Sequence, residues 1–480
     1  MNRKMILHTV GKMILAEGLF LLLPAVVALI YGEFTPFLSL MSTVAIALTL
    51  GGIAVFGIKP KTNLIYAKEG FFIVSASWIF ISVIGALPFT FSGEIPNYID
   101  ALFETVSGFT TTGASILHDV ESMSRSLLFW RSFTHWIGGM GILVFVMAII
   151  PNMSERSIHI LRAEAPGPEV GKLVPRIKDT AKILYLIYVA LTALQIVLLL
   201  CGGMSPFESV VHAFGTAGTG GFGVRADSIA SYSPYLQWVI TVFMLIFAIN
   251  FNLFYLILIR KFRTALKSRE LWVFGGIVAV SVLLISLNVR SQYGTVEETV
   301  RHSAFQVSSI ISTTGFATEN YDLWPTFAKG LLLMLTFVGG CAGSTAGGIK
   351  VSRFVIVAKQ LRREIQRLLH PRAVKSLRFE GRPLEEQTIR GVLSYFAVYL
   401  FCFGAIFLLI AWESFDLETT FSAVAATFNN VGPGLGAVGP AANFAAFSPF
   451  SKIVLTAAML LGRLEIFPLI IFFTPSAWKK

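Results

Sequence analysis

Long apolar runs separated by short polar stretches are the dominant pattern along the chain. Residues 13–31 (MILAEGLFLLLPAVVALIY), 71–89 (FFIVSASWIFISVIGALPF) and 183–201 (ILYLIYVALTALQIVLLLC) each come close to the ~20 apolar residues a helix needs to cross a bilayer. Such runs recur from end to end and predict an all-α polytopic membrane protein. The first run is too long for the apolar core of a secretory signal and lacks a convincing small-residue cleavage site, so no removed leader is expected.

A second pattern lies between the runs. Four uncharged tracts rich in glycine and small polar residues occur at 107–115 (SGFTTTGAS), 215–223 (GTAGTGGFG), 309–317 (SIISTTGFA) and 429–436 (NNVGPGLG). Each follows a segment too short and too polar to span, and each sits between two apolar runs. This predicts four units of span, half-crossing helix, irregular tract and second span. Glu104, Glu208, Glu298 and Glu418 are expected in or near the opening turns of the half-helices, where a carboxylate complements the positive end of the helix dipole. If Gly113, Gly221, Gly315 and Gly432 are equivalent, they lie 108, 94 and 117 residues apart. That spacing suits duplication of a whole membrane unit rather than a solenoid. The second tract is ambiguous by one residue: aligning its phenylalanine selects Gly221, and aligning its threonine selects Gly220.

The expected organisation is two N-terminal membrane helices with a linker (1–69), a first repeat (70–150), a cytoplasmic linker (151–182), a second repeat (183–262), a third repeat (270–360), a basic cytoplasmic segment (361–389) and a fourth repeat (390–480).

Composition sharpens this picture. Only 14% of residues are charged, against about a quarter in soluble domains. The net charge of +11 could suggest nucleic acid, but the basic residues gather around 59–68, 151–182, 259–269 and 350–390, while the short loops at 91–98, 203–206 and 412–420 carry none. That alternation is a topology signal, which places the basic loops and both termini in the cytoplasm; no nucleic-acid partner is expected. The basic tract 350–382 is a candidate contact for anionic membrane lipid or a soluble partner. Cys201, Cys341 and Cys402 have no metal-ligand spacing.

Irregular backbone at membrane depth is tolerated where protein buries it or where it lines a watery path. Glycine permits positive φ, so consecutive carbonyls can be aimed one way. Four such tracts around one axis would offer rings of uncharged oxygen able to replace the hydration shell of a monovalent cation. A divalent ion would call for carboxylates, and no tract contains one. An enzyme reading would need convergent acids, histidines or a metal site in the membrane; His135, His212 and His370 are isolated and lack ligand spacing. No nucleotide-binding glycine motif follows a strand, so any nucleotide control must come from another polypeptide.

With SGFTTTGAS, STTGFAT, NNVGPGLG and GGCAGSTAGGIKVSR (339–353), the chain resembles the Trk/Ktr/HKT superfamily of cation transporters over nearly its whole length, most closely the TrkH type. The two spans before the first repeat, about 13–31 and 37–57, fit that type as well. The resemblance implies one pore formed by four helix–pore loop–helix repeats, a homodimer, K+ as transported and bound ion with no organic cofactor, a bacterial inner-membrane location, and control by a TrkA-type cytosolic ring that binds nucleotides. It implies a filter formed by Thr111, Thr112 and Gly113; Thr219, Gly220 and Gly221; Thr313, Thr314 and Gly315; and Asn430, Val431 and Gly432. The fourth tract departs most, having no threonine and carrying Pro433 after its glycine, so asymmetry and weaker K+ over Na+ discrimination are expected. A Na+-permeable or Na+-coupled relative is the alternative. Gly113 favours K+, since a serine there accompanies Na+ transport in related plant transporters. The resemblance also implies an intramembrane gating loop carried by Gly339, Gly340, Gly343, Ser344, Thr345, Gly347 and Gly348, with Lys350 following at the cytoplasmic edge. Arg463, near the middle of the last apolar run, would face that loop from the cavity wall; an ion pair with Glu465 is the plainer structural reading.

Overall fold

Helix α1 (Arg3–Phe20) begins where the Asn2 side chain accepts the Met5 amide, and leads through a slight break into α2 (Leu22–Tyr31), which Gly32 ends in a left-handed conformation. Helix α3 (Phe34–Gly52) returns across the bilayer. These are the two expected spans ahead of the first unit. The computed structural model describes residues 2–60, 66–141, 177–371 and 376–478, so most of the expected 151–182 linker and the end of the first repeat lie outside the described residues.

Each later unit starts with a full span: α4 (Ala67–Gly85), α7 (Ile177–Cys201), α11 (Arg269–Val289) and α15 (Glu386–Ile410). A half-helix follows each one: α5 (Tyr98–Phe109), α8 (Pro206–Gly218), α12 (Val296–Ile311) and α16 (Leu417–Phe428). Their starts are set by side-chain caps. Asn97 accepts the Ile99 amide, Ser205 the Glu208 amide, Thr295 the Glu298 amide and Asp416 the Thr419 amide. The bonds to Thr419 hold the Asp416 carboxyl below the usual range. Glu208, Glu298 and Glu418 occupy the first turn as expected. Glu104 does not: α5 starts at Tyr98, so Asp100 is its first-turn acid and Glu104 lies about one turn deeper.

The second helix of each unit is α6 (Arg125–Gly139), α9 (Pro234–Phe247), α13 (Thr326–Val338) or α17 (Pro449–Arg463). None of these crosses as one straight rod among the described residues. Helix α9 turns by 92° into α10 (Phe251–Leu258). Helix α13 gives way to a twelve-residue irregular loop before α14 (Val351–Leu369). Helix α17 stops at Arg463, and α18 (Phe467–Phe473) resumes beyond Glu465 and Ile466, both at positive φ. Arg463 therefore sits at a break rather than in mid-helix.

Packing closes the units into a ring. Helix α6 packs on α8, α9 on α12, α13 on α16, and α17 back on α5, so each unit's second helix supports the next unit's half-helix. Spans α7, α11 and α15 stay peripheral and turn leucines such as Leu186, Leu283 and Leu400 outward, as lipid-facing helices do. The half-helices form the interior. The one departure from an all-helical chain among the described residues is a small antiparallel ribbon, β1 (Arg378–Phe379) with β2 (Arg382–Pro383), which the sequence pattern did not suggest.

Candidate functional site

The four half-helices end at the tracts in one repeated way. Backbone amides of Thr112, Gly220, Thr314 and Val431 donate to the carbonyls of Ser107, Gly215, Ser309 and Ala426, at 2.9, 2.8, 2.8 and 2.8 Å. One residue earlier, Thr111, Thr219, Thr313 and Asn430 all adopt positive φ of 54–58°. One residue later, Gly113, Gly221, Gly315 and Gly432 adopt φ of 79, 79, 84 and 100°. The equivalence fixes the register that the sequence left open: Gly220 corresponds to Thr112, and Gly221 to Gly113.

With the amides turned back into their own half-helices, the carbonyls face the other way. Those of Thr111, Thr112, Thr219, Gly220, Thr313, Thr314, Asn430 and Val431 accept no protein hydrogen bond among the described residues. The four tracts then meet in cyclic order. A β-carbon on Gly113 would strike the Gly220 carbonyl, one on Gly221 the Thr314 carbonyl, one on Gly315 the Val431 carbonyl, and one on Gly432 the Thr112 carbonyl. All four glycines line one vestibule of about 170 Å³. Arg131 and Arg225 also line it; the Gly220, Thr314, Val431 and Thr112 carbonyls lie against the four glycines, at the C-terminal ends of four half-helices, each equivalent to about half a negative charge. The arrangement suits one desolvated monovalent cation and offers no carboxylate ring for a divalent one. Among the described residues no cluster of His, Cys, Asp and Glu could hold a metal by side chains.

Side chains brace this ring from behind. Asn430 Nδ2 donates to Thr112 Oγ1 at 2.9 Å, joining the fourth tract to the first. Thr112 Oγ1 also meets Thr110 Oγ1 at 2.8 Å, and Ser312 Oγ meets Thr314 Oγ1 at 2.7 Å. His135 bridges the first two tracts: its Nδ1 lies 2.7 Å from the Gly108 carbonyl and its Nε2 accepts the Phe222 amide at 3.3 Å. These partners require the neutral tautomer with the proton on Nδ1. Arg131 forms a buried pair with Glu104 at 2.5 Å, donates to the Gly223 carbonyl at 3.1 Å, and lies 3.4 Å over the Phe222 ring. Glu104 also accepts the Ser115 hydroxyl and the Ile116 amide, each at 3.0 Å. Sequence reasoning did not single out Arg131, and it took His135 only as an isolated histidine without ligand spacing. The signal was present in RSLLFWRSFTHW, where an arginine and a histidine four apart share a helix face (125–136).

Removing one member of such a buried pair costs about 3–5 kcal/mol, because the survivor is left charged and dry. Glu104→Gln and Arg131→Met are each expected to lower both the thermal unfolding temperature in detergent and ion uptake. The double substitution is expected to recover part of the stability, and a thermal-shift comparison of the three variants checks this.

Below the ring lies the loop between α13 and α14. Gly339, Gly343 and Gly348 take positive φ, as does Lys350. The loop touches the second, third and fourth units, and Arg463 links it to the first. Gly347 N donates to Thr313 Oγ1 at 2.6 Å and Gly348 N to the Asn429 carbonyl at 3.0 Å. The Cys341 and Thr345 amides donate to the carbonyls of Ala248 and Phe247 at the bend of the second unit. Gly340 packs against the Ala248 carbonyl, and the Ser344 hydroxyl closes a turn onto the Cys341 carbonyl. The fourth unit supplies Arg463, which donates to the Thr345 carbonyl at 3.0 Å, to Thr111 Oγ1 at 3.2 Å, and to the Gly138 and Gly139 carbonyls at 2.5 and 2.8 Å. Glu465 bonds instead to Arg353 at 2.6 Å. Lys350, expected at the cytoplasmic edge of the loop, is 2% exposed and its ammonium turns back to the Ala346 carbonyl. The positive φ at Lys350 reverses the chain there and folds the side chain inward.

A family profile described as "TrkH: Cation transport protein" matches residues 38–480. The Trk system potassium uptake protein TrkH of Salmonella typhimurium is 38% identical over 487 residues, covering 100% of both chains. The Trk system potassium uptake protein TrkG of Escherichia coli is 36% identical over 486 residues and 99% of each chain. The crystal structure of the potassium transporter TrkH from Vibrio parahaemolyticus superposes with a TM-score of 0.89 at 34% identity over 100% of both chains.

Proposed function

The chain belongs to the TrkH family of cation transport proteins, a multi-pass membrane family of potassium uptake transporters and not of enzymes, and from that premise we propose that it is the K+-conducting pore subunit of a Trk-type uptake system. In this reading Thr111 to Gly113, Thr219 to Gly221, Thr313 to Gly315 and Asn430 to Gly432 form the filter, and K+ passes by exchanging water for their carbonyl oxygens. The loop from Gly339 to Gly348, held by Arg463, is the gate below it. The chain sits in a bacterial inner membrane with both termini in the cytoplasm, acts as a homodimer, and answers to a TrkA-type nucleotide-binding ring in the cytosol.

One observation carries this reading: the carbonyls that no protein donor uses belong to the same tracts that close into a ring in the order of the four units. Expression in cells lacking their own K+ uptake is expected to restore growth at low K+. Gly113→Ser is expected to fail in that assay and to raise Na+ flux relative to K+, because a side chain there would displace the Gly220 carbonyl. Absence of rescue by the intact system counts against the reading. The Na+-permeable alternative draws on the fourth tract, where Pro433 packs beside Gly315 and makes the ring unequal; a measured reversal potential separates the two.

A further inference from the structure

Glu270, the second residue of α11, takes no part in the ring or in the Arg463 contacts. It is 5% exposed. Its Oε1 accepts the Ala342 amide at 2.8 Å and the Ser352 amide at 3.0 Å. Ala342 lies in the intramembrane loop and Ser352 just past its end, so a single carboxylate oxygen pinches the loop across its base. A second carboxylate lies behind the first. Glu380, at the turn of the ribbon and at φ +47°, accepts the Ser268 hydroxyl at 3.2 Å and the Glu270 amide at 3.0 Å. The ribbon therefore grips the start of α11, and the start of α11 grips the loop.

The surroundings make this series of bonds reachable. A cavity of about 620 Å³ is walled by Glu270, Ala342 and Ser352 on one side and by Glu380 and Gly381 on the other. Glu380 and Gly381 are exposed, whereas Phe379 is buried against Ile356 and Val392. Lys359 on α14 donates to the Arg378 carbonyl at 2.8 Å. The ribbon is thus anchored on one face and open at its turn, and its turn bonds directly to the helix start that holds the loop.

We propose that Glu270 is a positioning residue that holds the intramembrane loop closed, and that the Glu380 turn acts in series with it as the exposed end of the catch. The proposal deepens the pore reading above and rests on the loop being the gate. A carboxylate is needed because a charged acceptor binds two amides more strongly than a neutral one, and because loss of the acceptor leaves two buried donors without partners. Releasing both bonds is expected to shift the loop toward its open position by about tenfold to a hundredfold.

The test is K+ flux through the full chain in proteoliposomes, with no cytosolic protein added. Glu270→Ala is expected to raise basal flux at least about tenfold. Glu270→Gln keeps an oxygen acceptor without its charge and is expected to fall between the parent and the alanine variant. Glu380→Ala is expected to raise flux less. The double variant Glu270→Ala/Glu380→Ala is expected to match Glu270→Ala alone, because the two groups act in series. The K+ to Na+ permeability ratio is measured alongside, and should stay at the parental value if the ring is intact. Unchanged or lowered flux in both Glu270 variants, at a parental permeability ratio, overturns the proposal, as does an additive double variant. Should Glu270→Ala not fold, Glu270→Gln alone decides the matter by raised or unraised flux. Deletion of loop residues 343–347 separates the two levels: if the deletion raises flux and the Glu270 variants do not, the catch is wrong and the gate stands. If the deletion also leaves flux unchanged, the gate reading itself is wrong.

Discussion

Gly221→Ala and Gly315→Ala are expected to reduce K+ uptake by at least about tenfold while leaving a protein that still reaches the membrane. Two effects act together. Both residues hold positive φ, 79° and 84°, which costs an L-residue about 1–2 kcal/mol. The added methyl would also collide with the Thr314 and Val431 carbonyls, which belong to the backbone and have no rotamer to escape into. Relief has to come from moving the oxygens proposed to hold the ion, and a strain of that size corresponds to roughly a tenfold change in occupancy of the undistorted ring. The four positions should not respond equally. At Gly432 the nearest oxygen, on Thr112, would still be 2.7 Å from the new carbon, a milder clash. Gly432→Ala is therefore expected to keep more flux, and more of the preference for K+ over Na+, than the other two. Rubidium uptake together with reversal potentials measures both quantities, and equal loss at all four glycines would contradict the unequal ring.

What could be read in the sequence followed from local chemistry. Threonine and glycine at a helix end announce a turn with positive φ, and four such ends at similar spacing announce a repeated unit. The half-helices were legible for the same reason, since Ser205-Pro206 and Thr295 are caps that act within a few residues. The register of the second tract was not legible, because Gly220 and Gly221 are the same residue type. It is settled by the Gly220 amide reaching back to Gly215. Glu104 lies beyond the opening turn because Asn97 caps the helix three residues before Asp100. The braces were the least accessible part. Arg131 with Gly223, His135 with Phe222, and Glu270 with Ala342 join residues 72 to 92 positions apart, and a single sequence records no such distances. The inward turn of Lys350 was hidden too, because it depends on a backbone angle rather than on residue type.

Arg463→Ala is expected to raise K+ flux through the chain by about tenfold to a hundredfold. Its guanidinium is the part of the fourth unit that holds both the loop, through the Thr345 carbonyl, and the first tract, through Thr111 Oγ1. A hydrogen bond from a charged donor is worth about 1.5–3 kcal/mol, and about 1.4 kcal/mol is a factor of ten in an equilibrium. Losing the Thr345 bond alone thus accounts for the expected change if the bond exists only while the loop is in place. Removal of a positive charge from beneath the ring acts in the same direction, since it lifts a repulsion felt by any cation arriving there. Arg463→Lys separates the two contributions. Lysine keeps the charge but cannot reproduce a planar fork reaching Gly138, Gly139, Thr111 and Thr345 together, so it is expected to open the loop while preserving the electrostatic barrier, giving flux between parent and alanine. Single-channel recording distinguishes them further. Release of the loop raises open probability, whereas loss of charge raises the current through each open pore. Unchanged conductance and unchanged uptake in Arg463→Ala would show that the loop is held by its contacts with Phe247, Ala248, Glu270, Thr313 and Asn429 without help from the arginine.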